Sequence, residues 1–209
     1  MNIEKKSNKL IIIISSPSGA GKTTICKYLL KKIKDVDLSI SYTTRQKRKN
    51  ETNKKDYFFT SQDKFMKLSK KNFFIETAKN FNNYYGSPYS NIKNSFKKNH
   101  HILFDIDWKG ARKLRKNYNK NQILDFFILP PSKKELKKRL EKRGRDQKNE
   151  INIRLSYAMS EMSHYNEYKY VIVNDKILDT VNTLISIINY NILITKLNSD
   201  IKKKLKFIK

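Results

Sequence analysis

The sequence predicts an α/β fold in which helices flank a parallel β-sheet. Short apolar runs alternate with longer segments of helical periodicity over most of the 209 residues, a pattern typical of that class. A glycine-rich segment, residues 16–23, directly follows the first apolar run and precedes a helical pattern, which is the setting of a phosphate-binding loop. Hydrophobic residues make up 38% of the chain, enough for one core, so disorder of the whole chain is excluded.

Four apolar runs are predicted to be buried strands, because each is short, strongly apolar and followed by a helical pattern. These runs span residues 10–15, 101–107, 123–129 and 170–173. Ser132 and Glu135 form a capping box, which predicts the start of a helix soon after the third strand. The apolar positions at helical spacing are Ile25, Leu29, Leu30 and Ile33 after the first strand, Leu136 and Leu140 after the capping box, and Val181, Leu184, Ile185 and Ile188 near the C-terminus.

Two regions interrupt this alternation. Residues 39–87 are rich in aromatic and β-branched side chains, so we predict an inserted, mostly β lobe with a short helix near residues 62–69. Residues 144–150 are polar and charged, which is typical of a surface loop, but the arginines that flank them favour a mobile lid as the alternative. We therefore expect one domain over residues 1–209, with a core (9–38, 88–131 and 155–195), the lobe (39–87), a lid (132–154) and a frayed basic tail (196–209).

The net charge of +27 raises the hypothesis of a nucleic-acid-binding protein. Only eight of the 46 basic residues are Arg, however, and the lysines are spread along the whole chain. Dispersed lysines are typical of replaceable surface positions in a chain shaped by an AT-rich genome, and they do not indicate a dedicated nucleic-acid patch. We therefore expect no specific nucleic-acid partner, although small anions such as nucleotides would be attracted.

The cysteine count and the apolar runs indicate where the protein works. The single cysteine, Cys26, excludes an internal disulfide. The sequence shows neither an N-terminal signal pattern nor an apolar run near about 18 residues. We expect a cytoplasmic protein with no membrane partner, and the oligomeric state stays open with a monomer favoured.

Residues 16–23 carry the strongest functional signal. Backbone N–H groups of a tight glycine turn, with a helix N-terminus behind them, provide hydrogen-bond donors and positive potential for phosphate oxygens. A chance Gly-Lys-Thr turn is the alternative, and the preceding strand and following helix argue against it. Ser16 stands where the general motif has Gly, which strains the backbone only if that position needs a positive φ. The predicted ATP-phosphate contacts are Ser16, Pro17, Ser18, Gly19, Ala20, Gly21, Lys22 with its charge, Thr23 with a hydroxyl for magnesium, and Thr24.

Acidic residues and arginines supply further candidates. Asp105 or Asp107, at the C-terminal end of a buried strand, is suited to hold magnesium or its waters, with simple solvation of the strand end as the alternative. Arginine is scarce here, so the positions that keep it are candidates for the planar, bidentate fork that binds phosphate. A solvated surface charge is the alternative for each. These positions are Arg45 and Arg48 at the start of the lobe and Arg139, Arg143, Arg145 and Arg154 around the suspected lid.

Seven motif blocks, in order over residues 9–190, resemble the guanylate kinase family of the P-loop nucleoside monophosphate kinase superfamily. In-order blocks over nearly the whole chain are far more specific than a phosphate loop alone. The blocks are Ser41-Tyr42-Thr43-Thr44-Arg45 with Arg48, Asp56-Tyr57, Phe74-Ile75-Glu76, Asn83-Tyr84-Tyr85-Gly86-Ser87, Asp105-Ile106-Asp107 with Gly110, Pro130-Pro131-Ser132, and Val173-Asn174-Asp175.

The resemblance implies transfer of a phosphoryl group from ATP to GMP with Mg²⁺, giving ADP and GDP. It implies that residues 39–87 bind GMP and that Thr23 and Asp105 lie near the metal. Glu76 would read the guanine, and Asn174 would lie near the adenine. The implied catalytic residues are Lys22, Arg45, Arg139, Arg143 and Arg154, and the implied GMP contacts are Ser41, Arg45, Arg48, Tyr57, Glu76, Tyr85, Gly86, Ser87 and Asp105.

Other functions stay open beside this one. A guanylate-kinase-like interaction module without catalysis is one alternative, but it usually lacks some of the phosphate-loop or lid groups that this chain retains. A kinase for another nucleoside monophosphate is the nearest enzyme alternative, and Glu76 with the Tyr85-Gly86-Ser87 block argues against it. A GMP phosphate oxygen is already anionic near neutral pH, so the reaction needs no activated Ser, Cys or His.

Overall fold

A five-stranded parallel sheet forms the centre of the protein, in a computed structural model that describes residues 7–80, 82–142 and 148–205. The strand order is β2-β7-β1-β8-β9, and each neighbouring pair is parallel. β1 is buried over its whole length, which explains its unbroken aliphatic sequence. The strands are β1 (Ile11–Ser15), β2 (Val36–Leu38), β7 (His101–Asp105), β8 (Ile123–Leu129) and β9 (Tyr170–Val173).

Helices cover both faces of this sheet. On one face, α1 (Lys22–Lys32) and α7 (Ile177–Lys204) pack against the even-numbered side chains of β1. On the other face, α3 (Tyr89–Lys97) and α4 (Trp108–Asn117) cover the odd-numbered ones. The predicted α/β fold with a helix-flanked parallel sheet is therefore confirmed.

A second, four-stranded sheet lies within the segment predicted to be a mostly β lobe. Its strand order is β4-β3-β6-β5, and it carries one helix, α2. Phe65 of that helix stacks on Phe74, with 4.6 Å between ring centroids, so aromatic packing supplies much of the small core here. The elements are β3 (Tyr42–Thr43), β4 (Phe58–Phe59), α2 (Gln62–Lys70), β5 (Phe74–Asn80) and β6 (Asn83–Pro88).

Two helices lie in the described part of the predicted lid. α5 (Lys133–Lys142) falls within it, whereas α6 (Lys148–Met162) continues beyond residue 154. The Ser132 side chain accepts a hydrogen bond from the Glu135 amide at 3.1 Å, as the capping box predicts. The pair shares a separate apolar cluster that includes Leu136, Leu140 and Ala158. Arg143 and Arg145 lie outside the described residues.

The C-terminal helix extends further than the sequence pattern indicates. α7 continues to Lys204, whereas a frayed terminus is expected from residue 196. Within the described ranges α7 is the one helix long and apolar enough to cross a membrane, over Ile177–Ile201. Its side chains Val181, Leu184 and Ile188 pack in the core, and 22% of the apolar stretch is buried. One helix of this length and composition is weak evidence for a membrane span.

Candidate active site

The phosphate loop connects the central strand β1 to α1 at the carboxyl end of the sheet, where open α/β sheets bind their ligands. Gly19 and Gly21 have φ values of 96° and 98°, a region that a side chain would strain. Ser16 is not among the left-handed non-glycine residues of the described chain, so serine costs no backbone strain at that position.

Three elements hold this loop in shape. A Cβ at Gly19 would lie 2.8 Å from Leu136 Cδ1, so α5 packs directly against the loop. Asn174, after β9, donates from Nδ2 to the Ala20 carbonyl at 2.7 Å. Glu161 of α6 accepts a hydrogen bond from the Ser18 amide at 3.2 Å. The loop is therefore braced by parts of the chain more than a hundred residues away.

Lys22 reaches from the start of α1 to the end of the neighbouring strand. Its Nζ lies 2.8 Å from Asp105 Oδ1 and donates to the Ile106 carbonyl at 3.0 Å. Burial by itself lowers the pKa of Lys22, but the charge and hydrogen bond of Asp105 outweigh burial and raise it above its usual value. Lys22 is therefore held in its charged form.

Asp107 has a different role from Asp105. It is the N-cap of α4, where its Oδ1 accepts from the Gly110 amide at 2.8 Å. Its Oδ2 accepts from Asn80 Nδ2 at 2.7 Å. Of the two acidic residues that the sequence offers for magnesium, Asp105 is the one whose carboxylate contacts the phosphate-loop lysine.

Glu76 is a buried carboxyl group, 3% exposed, in the second sheet. Ser87 Oγ donates to Glu76 Oε1 at 2.7 Å, and Ser41 Oγ lies 2.8 Å from Ser87 Oγ. Burial raises the pKa of Glu76 to about 7, although the Ser87 hydrogen bond opposes the shift. Glu76, Ser87 and Ser41, which are all among the predicted GMP contacts, thus form one hydrogen-bonded chain.

Arg45 is fixed beside two tyrosines of the lobe. Its two terminal nitrogens bind the carboxylate of Glu51 at 3.0 and 2.8 Å, the bidentate geometry that arginine alone provides. Its guanidinium carbon lies 5.4 Å from the Tyr57 ring centroid, and Tyr57 meets Tyr85 edge to face at 6.1 Å. The Arg48 amide also donates to Glu51, at 2.8 Å. Glu51 therefore orients the guanidinium of Arg45 and fixes the backbone at Arg48, the two arginines among the predicted GMP contacts.

Arg139 and Asn174, which are also predicted to act on ATP, follow the strands β8 and β9, on the other side of β1 from β7. Arg139 of α5 donates to the Asn174 carbonyl at 3.2 Å and to Glu135 at 3.0 Å. Asn174 also accepts from Thr180 Oγ1 at 3.0 Å, so its side chain is engaged within the protein, and a contact with adenine stays a prediction. Arg154 lies half-buried on α6, while Arg143 falls outside the described residues.

The oxygen donors fit a magnesium ion that is shared with a nucleotide. Within the described ranges there is no group of three or more His, Cys, Asp or Glu side chains that would form a metal cage. Mg²⁺ is usually bound by one or two protein oxygens together with phosphate oxygens and water, and it does not need such a cage. The Asp105 carboxylate and the exposed Thr23 at the start of α1 supply oxygens of the right type.

A family model described as Guanylate kinase matches residues 7–191. The chain belongs to the guanylate kinase family. A guanylate kinase of Rickettsia prowazekii (strain Madrid E) is 44% identical over 183 residues, covering 88% of this chain and 92% of the relative. One from Blochmanniella floridana is 47% identical over 176 residues, covering 82% and 81%. The crystal structure of guanylate kinase from Anaplasma phagocytophilum is similar with a TM-score of 0.73 at 34% identity, covering 90% and 88%.

Family membership confirms the resemblance that the motif blocks predict. As a guanylate kinase, the chain is an enzyme of the kinase class, and none of the comparisons favours a non-catalytic module or a kinase for another nucleotide. The roles of individual residues are not fixed by membership and remain predictions.

Sequence reasoning missed Glu161 and the orienting role of Glu51. Glu51 follows Arg45 at a spacing that no regular helix or strand explains, so only the folded loop reveals the bidentate pair. Glu161 has one weak signal in the sequence, because it lies seven residues after Arg154 and therefore on the same helical face.

Proposed function

We propose that this guanylate kinase transfers the γ-phosphoryl group of ATP to GMP through the residues assigned by sequence, giving ADP and GDP. The observation that carries the proposal is the 2.8 Å contact between Lys22 of the phosphate loop and Asp105, which is one of the predicted GMP contacts. This contact supports a single site for both nucleotides, as transfer between two bound nucleotides requires.

The chemistry needs alignment and charge neutralisation. The attacking oxygen of GMP is already anionic, so this chain need not supply a general base. Lys22 and the arginines would stabilise charge on the transferring group, and the Glu51-oriented guanidinium of Arg45 is positioned for a phosphate of GMP. Closure of α5 and α6 would bring Arg139, Arg143 and Arg154 over the ATP phosphates and exclude water.

Mg²⁺ is proposed as the partner of ATP, held by the Thr23 hydroxyl and by Asp105 directly or through water. When bound, it neutralises phosphate charge and orients the phosphoryl group. The hard oxygen donors at the start of α1 and at the end of β7 support this choice over a soft or redox metal.

Base choice is proposed to lie with Glu76. Guanine presents N1–H and a 2-amino group as adjacent donors, and an ionised carboxylate accepts from both. Ser87 supports the proposal, since its hydroxyl fixes one carboxylate oxygen at 2.7 Å. Adenine offers an acceptor at N1 and no 2-amino group, so AMP would leave the buried carboxylate without a hydrogen-bond donor on the base.

We further propose a cytoplasmic enzyme that acts without a specific nucleic-acid or membrane partner and favours the monomer. The decisive experiment is a coupled ADP-release assay with ATP and, in turn, GMP, AMP, UMP and dTMP. Turnover restricted to GMP supports the assignment. Equal turnover with AMP would overturn the role of Glu76, and no turnover with any acceptor would overturn the activity itself.

A further inference from the structure

Glu161 lies next to the phosphate loop but belongs to none of the residue sets predicted for ATP, GMP or magnesium. It is the second-last residue of α6, and its Oε2 accepts from the Ser18 amide at 3.2 Å. The contact joins residues 143 positions apart, so it is a feature of the folded protein and not of a local turn.

The same helix carries a predicted phosphate ligand. Arg154 precedes Glu161 by two helical turns and lies on the same face, together with Ala158, which packs against Leu136 and Leu140. α6 thus has an arginine that is predicted to bind phosphate in its middle and a hydrogen bond to the phosphate loop near its end. A shift of this helix would move both groups together.

Simple electrostatics opposes a carboxylate here. Burial raises the pKa of Glu161, while the charge of Lys22 and the Ser18 hydrogen bond stabilise the ionised form. A negative charge beside bound phosphates repels them and weakens their binding unless another effect compensates. The contact with the Ser18 amide provides that compensation, because it fixes the first part of the phosphate loop relative to α6.

We propose that Glu161 is a positioning residue for ATP, which holds the Ser18 end of the phosphate loop in register with Arg154 on α6. The inference rests on the proposed ATP site. It predicts that loss of the hydrogen bond weakens ATP binding, whereas charge repulsion alone predicts that loss of the carboxylate strengthens it. The two explanations therefore differ in sign.

The kinetic test compares Glu161→Ala, Glu161→Gln and the control Glu141→Ala, which removes an exposed carboxylate from α5. We expect Glu161→Ala to raise KM for ATP about tenfold and to change KM for GMP by less than about twofold. Gln retains an acceptor for the Ser18 amide, so Glu161→Gln should recover most of the loss, and Glu141→Ala should behave as wild type. An unchanged or lower KM for ATP in Glu161→Ala, or no rescue by Gln, would overturn the proposal.

A second measurement needs neither turnover nor a destabilising variant. In a pH titration of the ligand-free protein by NMR, the Ser18 amide resonance should move as Glu161 ionises and should lose that response in Glu161→Gln. A Ser18 resonance that does not respond in wild type would contradict the contact. An inactive wild-type enzyme would instead overturn the proposed function, while the titration would still test Glu161.

Discussion

Lys22 Nζ lies 2.8 Å from Asp105 Oδ1, joining the phosphate loop to the end of an adjacent strand. The register of the sheet explains the pairing, because Ile14 of β1 is opposite Asp105 of β7. The chain leaves β1, passes through the phosphate loop and places Lys22 at the carboxyl end of the sheet, beside the end of β7. Sheet topology thus brings the lysine to the acid that is predicted to lie near magnesium.

Lys22→Ala is expected to abolish turnover and to leave the fold intact. It removes the charge that would neutralise the transferring phosphoryl group, whereas no core side chain is lost. The ion pair is only partly exposed, so Asp105 loses its partner at a cost of about 1–3 kcal/mol in the free energy of unfolding. Circular dichroism and the coupled ADP-release assay test the two halves of this prediction.

The double variant Lys22→Ala/Asp105→Asn separates stability from catalysis. Removing the second charge relieves the unpaired carboxylate, so the free energy of unfolding should recover most of the loss while turnover stays absent. Near-normal activity in either variant would contradict the assignment of the phosphate loop.

Glu76→Gln is expected to lower kcat/KM for GMP at least about tenfold, which corresponds to about 1.4 kcal/mol. The amide keeps an oxygen for the Ser87 hydroxyl but replaces one acceptor with a donor. The N1–H and 2-amino donors of guanine would then face the NH₂ donor of the glutamine side chain. Steady-state kinetics with GMP and AMP in both proteins provide the measurement, and an unchanged GMP/AMP ratio would remove Glu76 from the base site.

The affinity for GMP should depend on pH through Glu76. Its pKa is raised to about 7, so the carboxyl group is largely protonated below that pH and ionised above it. Guanine donors require the ionised form, so KM for GMP should fall as pH rises, by at most about tenfold between about pH 6 and about pH 8.

The GMP phosphate also ionises near this range, so the informative quantity is the ratio of KM values between wild type and Glu76→Gln. This ratio should keep a pH dependence that the phosphate cannot produce. A ratio that stays flat from about pH 6 to about pH 8 would show that Glu76 does not titrate in this range on GMP binding.

Local sequence signals predicted the sheet and the loop because both are encoded by contiguous residues. The apolar runs at residues 123–129 and 170–173 become strands with those same ends, and the loop glycines adopt the left-handed conformations that the motif needs. The strand β2 was not predicted, because three half-buried residues show no recognisable period. The C-terminal end of α7 was not predicted for a related reason, because the helix continues through a lysine-rich segment whose composition alone indicates a tail.

The site could be predicted only in part, because its arrangement depends on tertiary contacts that local sequence patterns do not encode. Asp105 and Asp107 are equivalent in sequence, and only the folded chain separates the partner of Lys22 from the N-cap of α4. The contact of Glu161 with Ser18 depends on how α6 docks on the loop, which no spacing within either segment encodes.

His101 should make stability depend on pH on the acidic side. Its Nδ1 accepts from the Leu10 amide at 2.9 Å, and burial lowers its pKa from 6.5 to about 4. Between these values the unfolded chain binds the proton more readily, so the stabilisation is fully present above about pH 6.5 and is lost as pH falls toward about 4. The loss amounts to at most about 3 kcal/mol.

Denaturant unfolding of wild type and His101→Gln over this range tests the effect. Carboxyl groups titrate in both proteins, so the difference between the two curves isolates the histidine. His101→Gln should show the weaker loss of stability on acidification, and parallel curves would contradict the prediction.

Gly110→Ala is expected to impair GMP binding without direct loss of a ligand. A Cβ at this position would lie 2.7 Å from Glu76 Oε2, so the carboxylate must move away from its site beside Ser87. Ala itself suits a helix better than Gly, by up to about 1 kcal/mol, so the fold should not suffer.

We expect KM for GMP to rise several-fold in Gly110→Ala with KM for ATP unchanged. The control Lys116→Ala, an exposed change on the same helix, should alter neither KM value. Equal effects on both substrates would mean that the methyl group disturbs α4 as a whole, and an unaffected KM for GMP would mean that the position of Glu76 is not critical for the base.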